Sequence, residues 1–96
     1  MNKQGFVYFM SNKKRGIIYI GVTSILPKRV YEHKSGEMEG FTKRYNLKIL
    51  VYSEEFDDIE TAILYEKKLK NLHRNKKIDI VERMNPEWKV LYESIV

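Results

Sequence analysis

A mixed α/β domain is predicted by three observations. Two aromatic-rich runs near the N-terminus, Phe6-Val7-Tyr8-Phe9-Met10 and Ile17-Ile18-Tyr19-Ile20-Gly21, flank a short basic turn and read as an antiparallel hairpin. A third apolar run, Lys48-Ile49-Leu50-Val51-Tyr52-Ser53, has the length of a strand. Helix starts and periodic apolar stripes fill the remainder, giving the order strand, strand, helix, loop, strand, helix, helix, tail. The 96 residues suffice for one domain over 1–96 with a single modest core. Hydrophobic content of 43% beside 32% charged residues describes a globular chain, not a disordered one.

Ser11-Asn12-Lys13-Lys14-Arg15-Gly16 supplies the polar and glycine chemistry of the hairpin turn. A turn centred on Lys13-Lys14 sets Tyr8 opposite Tyr19. Opposed residues of an antiparallel pair have Cβ atoms about 5 Å apart, so two phenols would stand side by side on one sheet face. The plainer alternative is a pair of ordinary strand tyrosines whose hydroxyls reach the edge of the core.

Thr23 or Ser24 can cap the first helix, which carries Pro27 early and ends near residue 34, before Ser35-Gly36. Arg29 and His33 are four apart and share one face, with Leu26 and Val30 on the neighbouring stripe. Arginine offers a charged planar fork suited to phosphate, and histidine exchanges a proton near neutral pH. A solvated helix face is the alternative for this pair. Residues 37–44 have glycine breaks nearby and no clean period, which predicts a loop.

The second helix should start after Asp57 and Asp58 and run through Leu72, burying Ile59, Ala62, Ile63, Leu69 and Leu72. Glu66 falls on that same stripe. A carboxylate there is costly unless it is paired or bound to a metal; the alternative is a stripe-edge glutamate that reaches outward or pairs with Lys70. A hard divalent cation is commonly held by one or two carboxylates with water and phosphate oxygens, so a single inward glutamate can suffice. A third helical stretch over residues 76–83 is stopped at Met84, because Asn85 precedes Pro86. The tail, 87–95, is apolar at Trp88, Leu91, Tyr92 and Ile95, a spacing that suits a short docking helix.

Lys+Arg 18 against Asp+Glu 13 gives a net charge of +5, which favours an anionic partner such as nucleic acid. Lys67, Lys68, Lys70, His73, Arg74, Lys76 and Lys77 crowd the second helix and the turn after it, and Lys43 and Arg44 mark the central loop. Such a surface can follow a phosphate backbone, or be only a solvated helix end. The absence of cysteine excludes a disulfide framework and a thiolate metal site. No apolar run approaches the roughly 20 residues of a membrane helix, and the N-terminus does not read as a signal peptide, so the expected location is cytoplasmic.

Taken in order, Val7-Tyr8, Tyr19-Ile20-Gly21, Arg29, His33 and Glu66 resemble the GIY-YIG nuclease domain. The second motif matches literally; the first keeps its tyrosine in Phe6-Val7-Tyr8. The helix Arg29-Val30-Tyr31-Glu32-His33, the loop Phe41-Thr42-Lys43-Arg44-Tyr45 and the tail Asn85-Pro86-Glu87-Trp88 are similar to small stand-alone bacterial members. Two departures stand out: Val22-Thr23-Ser24 lacks the lysine some relatives place there, and Tyr65 replaces an arginine common before the glutamate.

The resemblance implies an α+β fold with a three-stranded antiparallel sheet flanked by helices, and metal-dependent cleavage of phosphodiester bonds, usually in DNA. Carried onto this chain, Tyr8 and Tyr19 would orient or deprotonate the attacking water, with His33 beside them. Arg29 would stabilise the transition state, and Glu66 would hold Mg2+ or Mn2+. Lys43, Arg44, Tyr45, Lys67, Lys70 and Asn85 are candidates for substrate contact. Without an appended base-reading module, cutting should be selective for DNA structure, such as branched, nicked or damaged sites in repair, with targeting by a homodimer or partner protein. A non-catalytic nucleic-acid-binding module of the same fold is the main alternative, and a protein-interaction domain using the apolar tail is a third.

Overall fold

The computed structural model describes residues 4–96; the first three residues of the expected 1–96 domain lie outside the described residues. Strands β1 (Gly5–Ser11), β2 (Ile18–Thr23) and β3 (Ile49–Phe56) form an antiparallel sheet in the order β2-β1-β3. Helices α1 (Leu26–Ser35), α2 (Phe41–Arg44), α3 (Ile59–Lys70) and α4 (Arg74–Met84) surround it, the expected three-stranded α+β arrangement. Among the described residues no helix is long and apolar enough to cross a membrane.

The central strand explains the layering. Successive side chains of β1 point to opposite faces, yet Val7, Tyr8, Phe9 and Met10 are all fully buried, so both faces must be covered. Val7 and Phe9 pack with Ile20, Val51, Tyr52, Ala62 and Leu69 of α3, Val81 of α4 and Trp88. Tyr8 and Met10 pack on the other side with Leu26 and Val30 of α1, Leu47 and Leu50. The register of β3 shifts between Phe9 and Met10, which pair with Tyr52 and Leu50 and leave Val51 as an extra residue. This bulge lets adjacent Val51 and Tyr52 both serve the α3 side.

The hairpin register differs from expectation. Tyr8 pairs with Gly21 and Tyr19 with Met10, so the two tyrosines are diagonal neighbours rather than opposed. The cause lies in the turn. Ser11 remains in the ladder opposite Ile18, Asn12 Oδ1 accepts from the Ile17 amide at 2.9 Å, and Arg15 takes a left-handed backbone (φ 55°), which moves the centre one residue along. The resulting slip of Tyr19's partner by two positions is even, so both phenols keep the same face.

Other boundaries moved for local reasons. Thr23 stays in β2 opposite Phe6, so the N-cap of α1 is Ile25, with no side-chain capping bond. Gly36 ends α1 at φ 76°, the left-handed C-cap that its glycine predicts. Within the expected loop 37–44 lies α2, one helical turn held by Arg44 N–H to the Gly40 carbonyl and Leu47 N–H to the Thr42 carbonyl. Asp58 caps α3 by accepting from Thr61 N–H at 2.7 Å, and the helix ends at Lys70, two residues before Leu72.

The predicted docking helix in the tail is absent. Trp88 adopts φ 57°, and only a short 3-10 turn forms at Tyr92–Ser94. The tail instead wraps the β3 edge: Leu91 N–H donates to the Leu50 carbonyl at 2.9 Å, while Trp88 packs on one face of the sheet and Leu91, Tyr92 and Ile95 on the other. One helix stripe cannot serve two faces, so the apolar spacing was misleading there. Its backbone bonding also covers part of an edge that would otherwise be open to strand pairing.

Candidate active site

Tyr8 stands at the middle of the site because its strand is central and its face is closed by α1. Its hydroxyl lies 2.9 Å from His33 Nε2, and His33 Nδ1 lies 3.0 Å from Thr42 Oγ1. A neutral imidazole serves both contacts with one N–H and one lone pair. Burial, reinforced by Tyr19 and opposed by Arg29, pushes the Tyr8 phenol far above its ordinary range. Burial also lowers the His33 pKa, Arg29 repels its charged form further, and Glu32 partly opposes them. Both groups are therefore held neutral at pH 7.

Tyr19 completes a triangle of rings. Its centroid is 6.3 Å from Tyr8 and 5.5 Å from His33, and Tyr8 and His33 are 5.5 Å apart. Gly21 makes this packing possible: a Cβ added there would meet both Cζ and the hydroxyl oxygen of Tyr8 at 2.5 Å. The glycine of Tyr19-Ile20-Gly21 thus leaves room for the Tyr8 ring that crosses it.

Arg29 projects from α1 toward this group, where its charge acts on Tyr8 and His33. Its Nε lies 3.3 Å from Glu32 Oε1, and its side chain is 37% exposed, open to a ligand. A cleft of about 110 Å³ beside it is bordered by Thr23, Ser24, Lys28 and Glu32.

Glu66 is only 8% exposed, as its place on the α3 stripe predicts. Its Oε2 lies 2.9 Å from Lys70 Nζ, the pairing alternative raised by the i,i+4 spacing. The Lys70 ammonium is in turn 6.0 Å from the Tyr19 ring centroid. Since β2 is an edge strand, α3 delivers this pair to the margin of the ring triangle although its own helix packs on the opposite face.

The short helix α2 adds an aromatic margin. Phe41 stacks on Tyr19 with centroids 6.5 Å apart and planes 29° from parallel, and Tyr45 lies 4.8 Å from Phe41. Glu39, Gly40, Phe41, Lys43, Arg44 and Tyr45 line an open cleft of about 650 Å³. Lys43 pairs with Glu39 at 2.9 Å, and the Arg44 guanidinium is 5.5 Å from the Tyr45 ring centroid.

The structure therefore gathers Tyr8, Tyr19, Arg29 and His33, sets the Glu66–Lys70 pair at their margin, and brings Lys43, Arg44 and Tyr45 alongside through α2. Lys67 lies exposed on α3. Asn85 is not brought to the group. Its Nδ2 donates to the carbonyls of Val51 (3.0 Å) and Lys89 (2.9 Å), and its Oδ1 accepts from Lys89 N–H, fastening the tail to the far edge strand, β3. Both ends of its amide are engaged in holding the fold. Sequence reasoning missed Thr42 and Phe41 as parts of the site. The local signal was their place in the family-like loop Phe41-Thr42-Lys43-Arg44-Tyr45, which assigned them no role because their partners His33 and Tyr19 are 9 and 22 positions away.

Residues 4–79 match the family model described as the GIY-YIG catalytic domain. Among curated proteins, the chain is 30% identical over 76 residues to a UPF0213 protein of Staphylococcus saprophyticus, covering 79% of this chain and 92% of that protein. It is 34% identical over 76 residues to a UPF0213 protein of Natronomonas pharaonis (79% and 88% covered) and 32% over 82 residues to one of Haloquadratum walsbyi (85% and 91%). No solved structure gives a significant match. The strand pair, the ring cluster and a match over most of the chain lead to one conclusion: the chain belongs to the GIY-YIG family and carries its nuclease-type catalytic domain.

Proposed function

We propose that residues 1–96 act as one metal-dependent endonuclease domain that hydrolyses DNA phosphodiester bonds and selects DNA structure over sequence. The observation that carries this reading is the buried Tyr8–His33 hydrogen bond with Tyr19 and Arg29 against it. Neutral Tyr8 is a poor base by itself. With His33 Nδ1–H donating to Thr42 Oγ1, Nε2 accepts from the Tyr8 hydroxyl, and this buried pair fixes the partly exposed Tyr19 phenol that meets the attacking water. Tyr19 helps position that water. The water oxygen forms its bond to phosphorus as the bond to the leaving oxygen breaks, the proton lost by the water ends on that leaving oxygen, and the Arg29 fork meets the added charge on the phosphoryl oxygens.

The donor chemistry fits a hard cation at Glu66. Among the described residues no group of three or more His, Cys, Asp or Glu side chains comes together. A cation here would rest on one nearly buried carboxylate, water and substrate phosphate, as magnesium often does. When bound, such an ion supplies charge neutralisation at the phosphoryl and leaving oxygens. The Glu66–Lys70 pair favours a second reading, a nucleic-acid-binding module, because the lysine already satisfies that carboxylate.

The two readings separate in one experiment. Labelled single-stranded, duplex and branched DNA are incubated with purified protein and Mg2+ or Mn2+, beside Glu66→Ala and Arg29→Ala. Metal-dependent cleavage abolished by both substitutions supports the nuclease, whereas binding without such cleavage supports the module.

A further inference from the structure

We infer that Phe41 and Tyr45 form a stacking site for the exposed face of an unpaired nucleobase next to the strand position that is cut. This deepens the nuclease reading and rests on it for the identity of the strand. Phe41 is 48% exposed and Tyr45 40% exposed, and their rings lie 4.8 Å apart, whereas neighbouring Tyr8 and Tyr19 are taken up by the ring triangle. Two neighbouring exposed rings cost solvation unless something covers them.

What covers them is indicated by their surroundings. Phe41 continues the stack begun by Tyr19, so the surface runs directly from the candidate reaction centre. Lys43 and Arg44, with one carboxylate, Glu39, border the same open cleft of about 650 Å³, within the range of small-ligand sites of roughly 300–1,000 Å³. Lys43 is already paired with Glu39, but Arg44 has no carboxylate partner among the described residues; an apolar peptide would leave that guanidinium without a counter-charge, whereas a nucleotide offers a flat π-face to the rings and a phosphate to Arg44. A base inside a duplex has both faces covered by its neighbours. The site is therefore useful only for a nucleotide that is unpaired or unstacked, which narrows structure selection to strands presenting such a nucleotide.

The test measures binding without divalent metal, so that a failure of the hydrolytic reading leaves its readout intact. Oligonucleotides of one length are used: a single strand containing 2-aminopurine, the same strand with an abasic position in its place, and the fully paired duplex. The expected result is quenching of 2-aminopurine emission on binding and weaker binding of the abasic strand and the duplex. Phe41→Ala and Tyr45→Ala should each weaken single-strand binding by about 5- to 100-fold without changing its slope against salt. Phe41→Trp should restore it, because the π-face returns. Equal affinity for all three nucleic acids, or binding unaffected by both alanine variants, would overturn the inference. So would recovery with Phe41→Leu to the same degree as with Phe41→Trp, which would show apolar bulk alone to be sufficient.

Discussion

The Tyr8 hydroxyl is 2.9 Å from His33 Nε2 inside a face of the sheet closed to solvent. Each side chain supplies the partner that makes burial of the other tolerable. Tyr8→Phe removes the hydroxyl and leaves a ring nitrogen unpaired, so it should cost about 1–3 kcal/mol in denaturant unfolding. Tyr8 should also stay protonated when exposed tyrosines ionise near pH 10, since burial raises its pKa. Ultraviolet titration of wild type beside Tyr8→Phe checks this: the variant should lose no ionising phenol in that range.

Acid should weaken the fold in two separate windows. His33 has a folded pKa below 6.5, so the unfolded chain takes up its proton first; the associated stability is full above pH 6.5 and declines as pH falls below it. Glu82 is held at about 2 by hydrogen bonds from Arg15 and the Trp88 indole, against 4.5 for the free group. Its contribution is present above pH 4.5 and lost as pH falls toward 2. Urea unfolding across pH should show the upper decline flattened in His33→Gln and the lower one in Glu82→Gln.

At Glu66 the ammonium of Lys70 competes with any added cation for the same carboxylate oxygen. Lys70→Met should tighten Mn2+ binding on the order of 10-fold, equivalent to about 1.4 kcal/mol. Glu66→Gln should abolish that binding and lower metal-dependent cleavage by about 100-fold or more. Electron paramagnetic resonance of free Mn2+ reads the first effect without reference to activity. Weaker binding in Lys70→Met would show that the lysine supports the site instead of competing for it.

Gly21→Ala places a methyl group where the Tyr8 ring lies, at 2.5 Å from two of its atoms. The ring cannot yield freely, because His33 holds its hydroxyl. The expected cost is about 1–3 kcal/mol of stability from overpacking, with loss of cleavage as Tyr8 leaves its position. Denaturant midpoints and the cleavage rate measured together check both parts.

Asn85→Ala should separate tail anchoring from the site. Its side chain joins Val51 to Lys89, so the substitution leaves buried backbone groups unpaired and should cost about 1–3 kcal/mol. Affinity for the metal-free single strand should be unchanged below the unfolding transition. A loss of affinity in the folded variant would return Asn85 to the binding surface.

Periodicity carried the sequence reading wherever a segment's own pattern decided its structure. Element order, the common face of Tyr8 and Tyr19, the Asp58 cap and the inward placement of Glu66 all follow from spacing along the chain. The same reasoning failed for the tail, where helical spacing concealed a segment that divides its apolar residues between two sheet faces. It also missed α2, a single turn too short to show a period.

By itself the sequence determined the fold class and the family, because strand alternation, helix stripes and an ordered set of motif residues are local properties. Tertiary structure alone decided the hairpin register, the Thr42–His33–Tyr8 chain, the reach of Lys70 around the β2 edge and the stacking of Phe41 on Tyr19. Each depends on side chains distant in sequence meeting across packed elements, where burial and partner geometry outweigh the preferences of any single segment.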